Sequence, residues 1–214
     1  MGPITTPNNF VIESPNELIS FWSFFIEREC WDEEWVRSLR TEPAPLVLDV
    51  GANAGLFTHM IWEVRPDARI AAFEPLPKMA NKIAEWRNRT NAHVTIHNVA
   101  VSNFMGTADF FITDEHDTSA SLAAQSAGSR PIKVSVVTLD SVVPDNPICV
   151  MKVDVEGFEC EVLDGARRTV ANSRFIIAEA HTTEALRRIS EKLGGSWTYK
   201  RVGASDFLFR KKKG

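Results

Sequence analysis

From about residue 45 onward, short apolar runs alternate with stretches whose apolar residues recur at helical spacing, and this alternation leaves few folds open. "PLVLDV" reads as a first strand, and "GLFTHMIWEVR" as a helix with Leu56, Met60 and Val64 on one face. "ARIAAFEP", "HVTIHNVAVS", "ICVMKVDVEG" and "RFIIAEAH" read as four more strands. Helical patterns follow in "PKMANKIAEWRNR", "CEVLDGARRTVAN" and "TTEALRRISEKLGG", the last closed by glycines. Such a pattern signals an α/β fold on a mainly parallel sheet. Two β-like runs, "TADFFIT" and "IKVSVVTLDSVV", flank a polar segment from Asp114 to Arg130 and read as an insertion or as strands added to the rim. "TYKRVG" and "DFLFRKK" read as a short closing hairpin.

A chain of 214 residues buries one sizeable core, so one main domain is expected over residues 41–214. The net charge of −4 gives no electrostatic footprint for a nucleic-acid backbone. The basic run Arg210-Lys211-Lys212-Lys213 reads as a solvated tail. Three scattered cysteines (Cys30, Cys149, Cys160) suit neither a disulfide framework nor a zinc site, which points to a reduced, cytoplasmic setting. No apolar stretch approaches the roughly 18 residues that span a bilayer. The start of the chain lacks the basic and apolar regions of a signal peptide.

Residues 1–40 differ from the rest and form a helical, aromatic-rich segment. Ser14, Pro15 and Glu17 make a capping box with proline at the first helical position. Phe21, Trp22, Phe24, Phe25, Trp31 and Trp35 follow. Three roles suit such a stripe: core packed on the flank of the sheet, a lid or pocket wall, or a homodimer interface.

"LVLDVGANAGLF" places Gly51 and Gly55 in the turn between the first strand and its helix, where a backbone can approach a ligand beside free helical N–H groups. Asn53 stands where the dinucleotide fingerprint has its second glycine, which disfavours nicotinamide cofactors. Asp49, ending the strand, suits a cationic amine better than a pyrophosphate. Glu74 ends the second strand about twenty residues beyond the loop, where an acid accepts both hydroxyls of a ribose, with Pro75 beside it. A helix cap is the competing role for Glu74. After the third strand, Asn98, Ala100 and Val101 leave room for a flat adenine. Amine, ribose and adenine together describe S-adenosylmethionine.

"VLDVGANAGLFT", "FEPLP", "NVAVS", "VVTLDSVV", "MKVDVEGFECEVLDGA" and "IIAEAH", in this order over residues 46–181, resemble the FkbM family of S-adenosylmethionine-dependent methyltransferases. The resemblance implies the class I methyltransferase fold, a Rossmann-like sheet of seven strands with helices on both faces and an antiparallel hairpin at one edge. It also implies O-methylation of a small hydroxylated metabolite, natural product or sugar.

In such a sheet the ends of the first, fourth and fifth strands lie together, and ligands bind outside them. Asp154, Glu179 and His181 are therefore expected to face the reacting centre, with Asp154 also touching the cofactor. A hydroxyl becomes a useful nucleophile when a base takes its proton or a metal acidifies it. A histidine titrates near neutrality and fits the role of base. Asp154 could orient it, bind the hydroxyl or hold a metal, and ligands of this kind favour Mg²⁺ or Mn²⁺. Glu156 reads either as part of this group or as a cap on the next helix. Glu159 and Glu161 read as partners of that helix dipole. His116, Asp117, Ser119 and Ser121 fall in the polar segment and suit either acceptor binding or an exposed loop. Two other functions compete: a nucleic-acid methyltransferase, against which the acidic balance speaks, and a non-catalytic cofactor-binding scaffold.

Overall fold

The computed structural model describes residues 4–6, 10–13, 18–19, 21, 30–112 and 130–212. In chain order, β1 (Ile4–Thr5) and β2 (Val11–Ile12) precede helix α1 (Glu33–Thr41). Next come β3 (Leu46–Val50), α2 (Leu56–Val64), β4 (Arg69–Phe73), α3 (Pro77–Thr90) and β5 (Val94–His97). They are followed by β6 (Ala100–Val101), β7 (Gly106–Ile112), β8 (Arg130–Val137) and α4 (Leu139–Val142). The last third holds β9 (Ile148–Val153), α5 (Glu159–Asp164), α6 (Arg167–Asn172), β10 (Ser173–Glu179), α7 (Thr183–Leu193), β11 (Trp197–Arg201) and β12 (Asp206–Lys211).

Seven strands form the central sheet in the order β11-β12-β10-β9-β3-β4-β5. The five from β10 to β5 run parallel, and β12 pairs antiparallel with both β10 and β11, so the hairpin occupies one edge as expected. Every residue of β9 is buried, because helices cover both faces of the sheet. Alternation then sorts the side chains. Val47, Val150, Ile177 and Leu208 pack with Trp35, Phe57, Ile61 and Trp86 on one face. Leu48, Met151, Ile176 and Phe209 pack with Val162, Leu163 and Ile189 on the other. The cysteines are free and buried. No helix among the described residues is long and apolar enough to cross a membrane.

Two elements expected to be continuous are broken, each for a local reason. The run from His93 to Ser102 divides at Asn98, whose amide donates to the carbonyls of Glu74 (2.8 Å) and Pro75 (3.0 Å) and turns the chain out of the sheet. Its second half, β6, joins β8 and β7 in a separate three-stranded sheet rather than the rim of the main one. The helix expected over residues 160–172 divides at Gly165, where a Cβ would lie 2.2 Å from the carbonyl oxygen of Ser102. Asp140 caps the second piece, accepting from the backbone N–H groups of Arg168 (3.0 Å) and Thr169 (2.9 Å).

Of the aromatic segment, the capping box (Ser14, Pro15, Glu17) and Trp22, Phe24 and Phe25 lie outside the described residues, as do His116, Asp117, Ser119 and Ser121. Trp35 is wholly buried, with its indole N–H donating to the carbonyl of Cys30 at 2.9 Å. A chain lacking residues 1–40 loses Trp35, Val36 and Leu39 from the core. Removing a single large buried side chain costs about 3–5 kcal/mol. Circular dichroism should therefore show the shortened chain melting far below the full chain or failing to fold.

Candidate active site

The turn after β3 is built by backbone conformations that few side chains tolerate. Gly51 sits at φ +81° and Gly55 at φ +85°, and Asn53 adopts φ +49°. The N–H groups of Gly51 and Ala52 both donate to the Phe73 carbonyl at 3.0 Å, which pins the turn to the end of β4. A Cβ on Gly51 would lie 1.7 Å from the carbonyl oxygen of Asp154. The glycine therefore lets the turn touch the chain leaving β9. Gly55 closes the turn against Ile83.

Asp49 does not line the cleft beside this turn. It is 1% exposed, and its Oδ2 accepts from the Thr58 N–H (3.1 Å) and hydroxyl (2.6 Å), tying β3 to the first turn of α2. Its Oδ1 is buried without a hydrogen bond. Burial raises its pKa, with Lys152 pulling the other way.

Glu74 has both carboxylate oxygens engaged: Oε2 accepts from the Asn53 N–H and Oε1 from the Leu76 N–H, each at 2.8 Å. It thus latches the glycine turn to the start of α3, and each oxygen keeps acceptor capacity for a further donor. Burial pushes its pKa up to about 7, and the two N–H donors oppose that shift.

The glycine turn and Glu74 border an open cleft. Gly51, Asn53, Glu74 and Pro75 line one part, and Ala100, Val101 and Asp154 line another. Asn98 serves the wall from behind through its bonds to Glu74 and Pro75. Sequence reasoning missed Leu76, Val99 and Phe110, which complete an apolar slot beside Pro75. Phe110 comes from the separate sheet and carries no motif that would have flagged it.

The acids at the end of β9 are answered by a residue that the sequence reading passed over. Lys152 is 3% exposed, and its ammonium contacts Oδ2 of Asp154. Period-two alternation puts residues 152 and 154 on one face, and that was the available signal. Burial alone would raise the Asp154 pKa, but the Lys152 charge and its hydrogen bond bring it below the ordinary value. Glu179 moves the opposite way, up to about 9, through burial and the neighbouring Asp154 charge. The Ser205 hydroxyl donates to Glu179 Oε1 at 2.9 Å, and His181 Nε2 lies 3.1 Å from Glu179 Oε2. His181 itself is 62% exposed, on the solvent side of the group.

Glu156 lines the cleft at φ +53°, while Glu159 holds the turn by accepting from the N–H groups of Val155 (3.3 Å) and Gly157 (3.1 Å). Glu156, Glu179 and His181 each offer a donor atom within 4.8 Å of the others. Among the described residues these three could hold a divalent cation, and Asp154 is not one of them.

The sequence profile described as "Methyltransferase FkbM domain" matches residues 49–198. The 2-O-methyltransferase NoeI of Sinorhizobium fredii is 28% identical over 160 residues, covering 66% of this chain and 65% of NoeI, just under two thirds of its length. The hexuronic acid methyltransferase AglP of Haloferax volcanii is 27% identical over 178 residues, covering 80% of this chain and 70% of AglP. Among solved structures, a SAM-dependent methyltransferase from Agrobacterium tumefaciens superposes with a TM-score of 0.54 at 8% identity, covering 99% of this chain and 70% of that one. That likeness concerns the fold alone.

Proposed function

The chain belongs to the FkbM methyltransferase family, and from that premise we propose that it moves a methyl group from S-adenosylmethionine to a hydroxyl of a small, sugar-like acceptor. One observation carries the reading. The cleft that suits a nucleoside ends at Asp154, beside the Asp154–Glu179–His181 group, so donor and acceptor sites share one wall. The chain's residues fit the cofactor. Glu74 retains acceptor capacity for ribose hydroxyls, and the carboxylate of Asp154, 29% exposed in the cleft wall, suits the cofactor's positive charge. When bound, S-adenosylmethionine supplies an electrophilic methyl group on a cationic sulfur.

The protein's own part is to orient the acceptor and remove its proton. His181, exposed to solvent with its Nε2 3.1 Å from Glu179 Oε2, takes that proton. Asp154, kept ionised by Lys152, gives the site its negative charge and accepts a hydrogen bond from the acceptor. In a second reading, favoured by their spacing, Glu156, Glu179 and His181 would hold Mg²⁺ or Mn²⁺, whose charge would make the acceptor hydroxyl more acidic. The names of NoeI and AglP, a 2-O-methyltransferase and a hexuronic acid methyltransferase, support a sugar hydroxyl. Trp35, Val36 and Leu39 belong to the flank of this domain in the proposal.

The test is incubation with labelled S-adenosylmethionine and a panel of methyl glycosides of neutral hexoses and hexuronic acids, read by mass spectrometry. A product one methyl group heavier, with the label on oxygen, supports the reading. Label appearing only in nucleic acid, or NAD binding by calorimetry, overturns it. Replacing Glu74 with alanine should weaken S-adenosylmethionine binding by roughly 1.5–3 kcal/mol, the worth of a hydrogen bond to a charged group. Because Glu74 titrates near 7, wild-type affinity should also fall as the pH drops below neutrality, and Glu74→Gln should flatten that dependence. Calorimetry across pH 5.5–8.5 (roughly the span over which a group near 7 titrates) checks both.

A further inference from the structure

We infer that Lys152 is a positioning residue for the proposed methyl transfer, fixing the carboxylate of Asp154 in the cleft wall where it faces the transferable methyl group. This rests on the function proposed above. Lys152 lies in the middle of the sheet, opposite Asp49 on β3 and Ile177 on β10, with only 4% of its side chain exposed. Its ammonium contacts Asp154 Oδ2, and the carboxylates of Asp49 and Asp206 act on the same charge. One cation thus answers acids on β3, on β12 and on the chain leaving β9.

A purely structural explanation is weak on physical grounds. Burying an ion pair gains little over a well-packed apolar pair of similar volume, because desolvation offsets the attraction. Met151 and Val153 point to the other face of β9, and the apolar neighbour across from Lys152 is Ile177 on β10. What an apolar residue would lack is a hold on Asp154, whose backbone has left the strand and whose side chain is 29% exposed to the cleft. The contact with Gly51 fixes the Asp154 backbone, and Lys152 fixes its side chain. The bond from Lys152 is thus what orients this carboxylate.

The experiment uses two probes and needs no acceptor. S-adenosylhomocysteine lacks the methyl group, and its analogue sinefungin carries an amine-bearing carbon in place of the sulfur. A carboxylate at that point attracts the sinefungin ammonium, so the wild-type protein should bind sinefungin about tenfold or more tighter than S-adenosylhomocysteine in calorimetry. Asp154→Asn should remove that preference. Lys152→Met should lose it to the same extent, with S-adenosylhomocysteine affinity within about threefold of wild type, the spread expected where that ligand's own contacts survive. If Lys152→Met does not fold, Lys152→Gln, which keeps a donor but no charge, gives the same readout. A preference unchanged in either Lys152 variant means the lysine is structural, and an increased preference means it only screens charge. Each result overturns the inference. So does a wild-type protein with no preference, since Asp154 would then not face the methyl position. A wild-type protein that binds neither probe overturns the proposed function along with this inference.

Discussion

Replacing Gly51 with alanine should abolish both cofactor binding and the native fold around the cleft. The new methyl carbon would sit 1.7 Å from the carbonyl oxygen of Asp154 and 2.8 Å from its carbonyl carbon. Both are backbone atoms, so no rotamer change relieves the overlap. The chain could retreat only by breaking the bond from the Asp154 N–H to the Val50 carbonyl (3.0 Å) or the pair of bonds to Phe73. The φ of +81° adds a conformational cost of about 1–2 kcal/mol for a residue with a Cβ. A total loss above about 4 kcal/mol is expected, in the range reserved for a few disruptive mechanisms. Gly55→Ala is the control. It has the same kind of φ, but its Cβ would meet the Ile83 side chain at 2.9 Å, and a side chain can shift. Thermal unfolding should rank wild type above Gly55→Ala and Gly55→Ala above Gly51→Ala. A Gly51→Ala protein that melts near wild type and binds S-adenosylmethionine would refute this account of the turn.

Asp154→Asn should cut methyl transfer by about 10²–10⁴-fold, the range attached to a positioned acid or base. The change is nearly isosteric but removes the charge that pairs with Lys152. Sequence reasoning alone would leave the melting temperature unmoved. The buried lysine changes that expectation, because breaking one side of a buried pair costs about 3–5 kcal/mol when nothing else compensates. Asp49 and Asp206 remain near Lys152, so the loss should fall short of that figure. The pH dependence has a definite sign. Asp154 has a lowered pKa, so its contribution is present above the ordinary carboxylate range and is lost as acid protonates it. The stability gap between wild type and Asp154→Asn should therefore shrink toward low pH. His181→Ala should also lose turnover, and the double variant should be less than additive if the two act as a unit. Chelation separates the two readings of the acceptor side. Activity removed by EDTA and restored by Mg²⁺ assigns a cation to Glu156, Glu179 and His181, and indifference leaves His181 as the base. An Asp154→Asn enzyme that turns over at the wild-type rate would reduce this carboxylate to a structural role.

The fold was readable from sequence because its signals are local. Period-two runs such as "ICVMKV" and helical stripes such as Met79, Ile83 and Trp86 need only neighbours along the chain to be recognised. Where the reading slipped, distant contacts decided. Asn98 left the sheet to bond to Glu74 and Pro75, and Gly165 broke a helix to let Ser102 approach. No local pattern encodes either event.

The sequence by itself determined which acids reach the strand ends, because Asp49, Glu74, Asp154 and Glu179 each close a readable strand and parallel sheets gather those ends on one side. Only the tertiary structure decided what each acid does there. Asp49 turned inward to Thr58, Glu74 became a latch between two backbone N–H groups, and Glu179 settled beside Ser205 and His181. The physical reason is that a carboxylate's role depends on burial and on the charges within a few ångströms. For Asp154 that charge is Lys152, two residues away along β9 and brought onto the same buried face by the pleat of the strand.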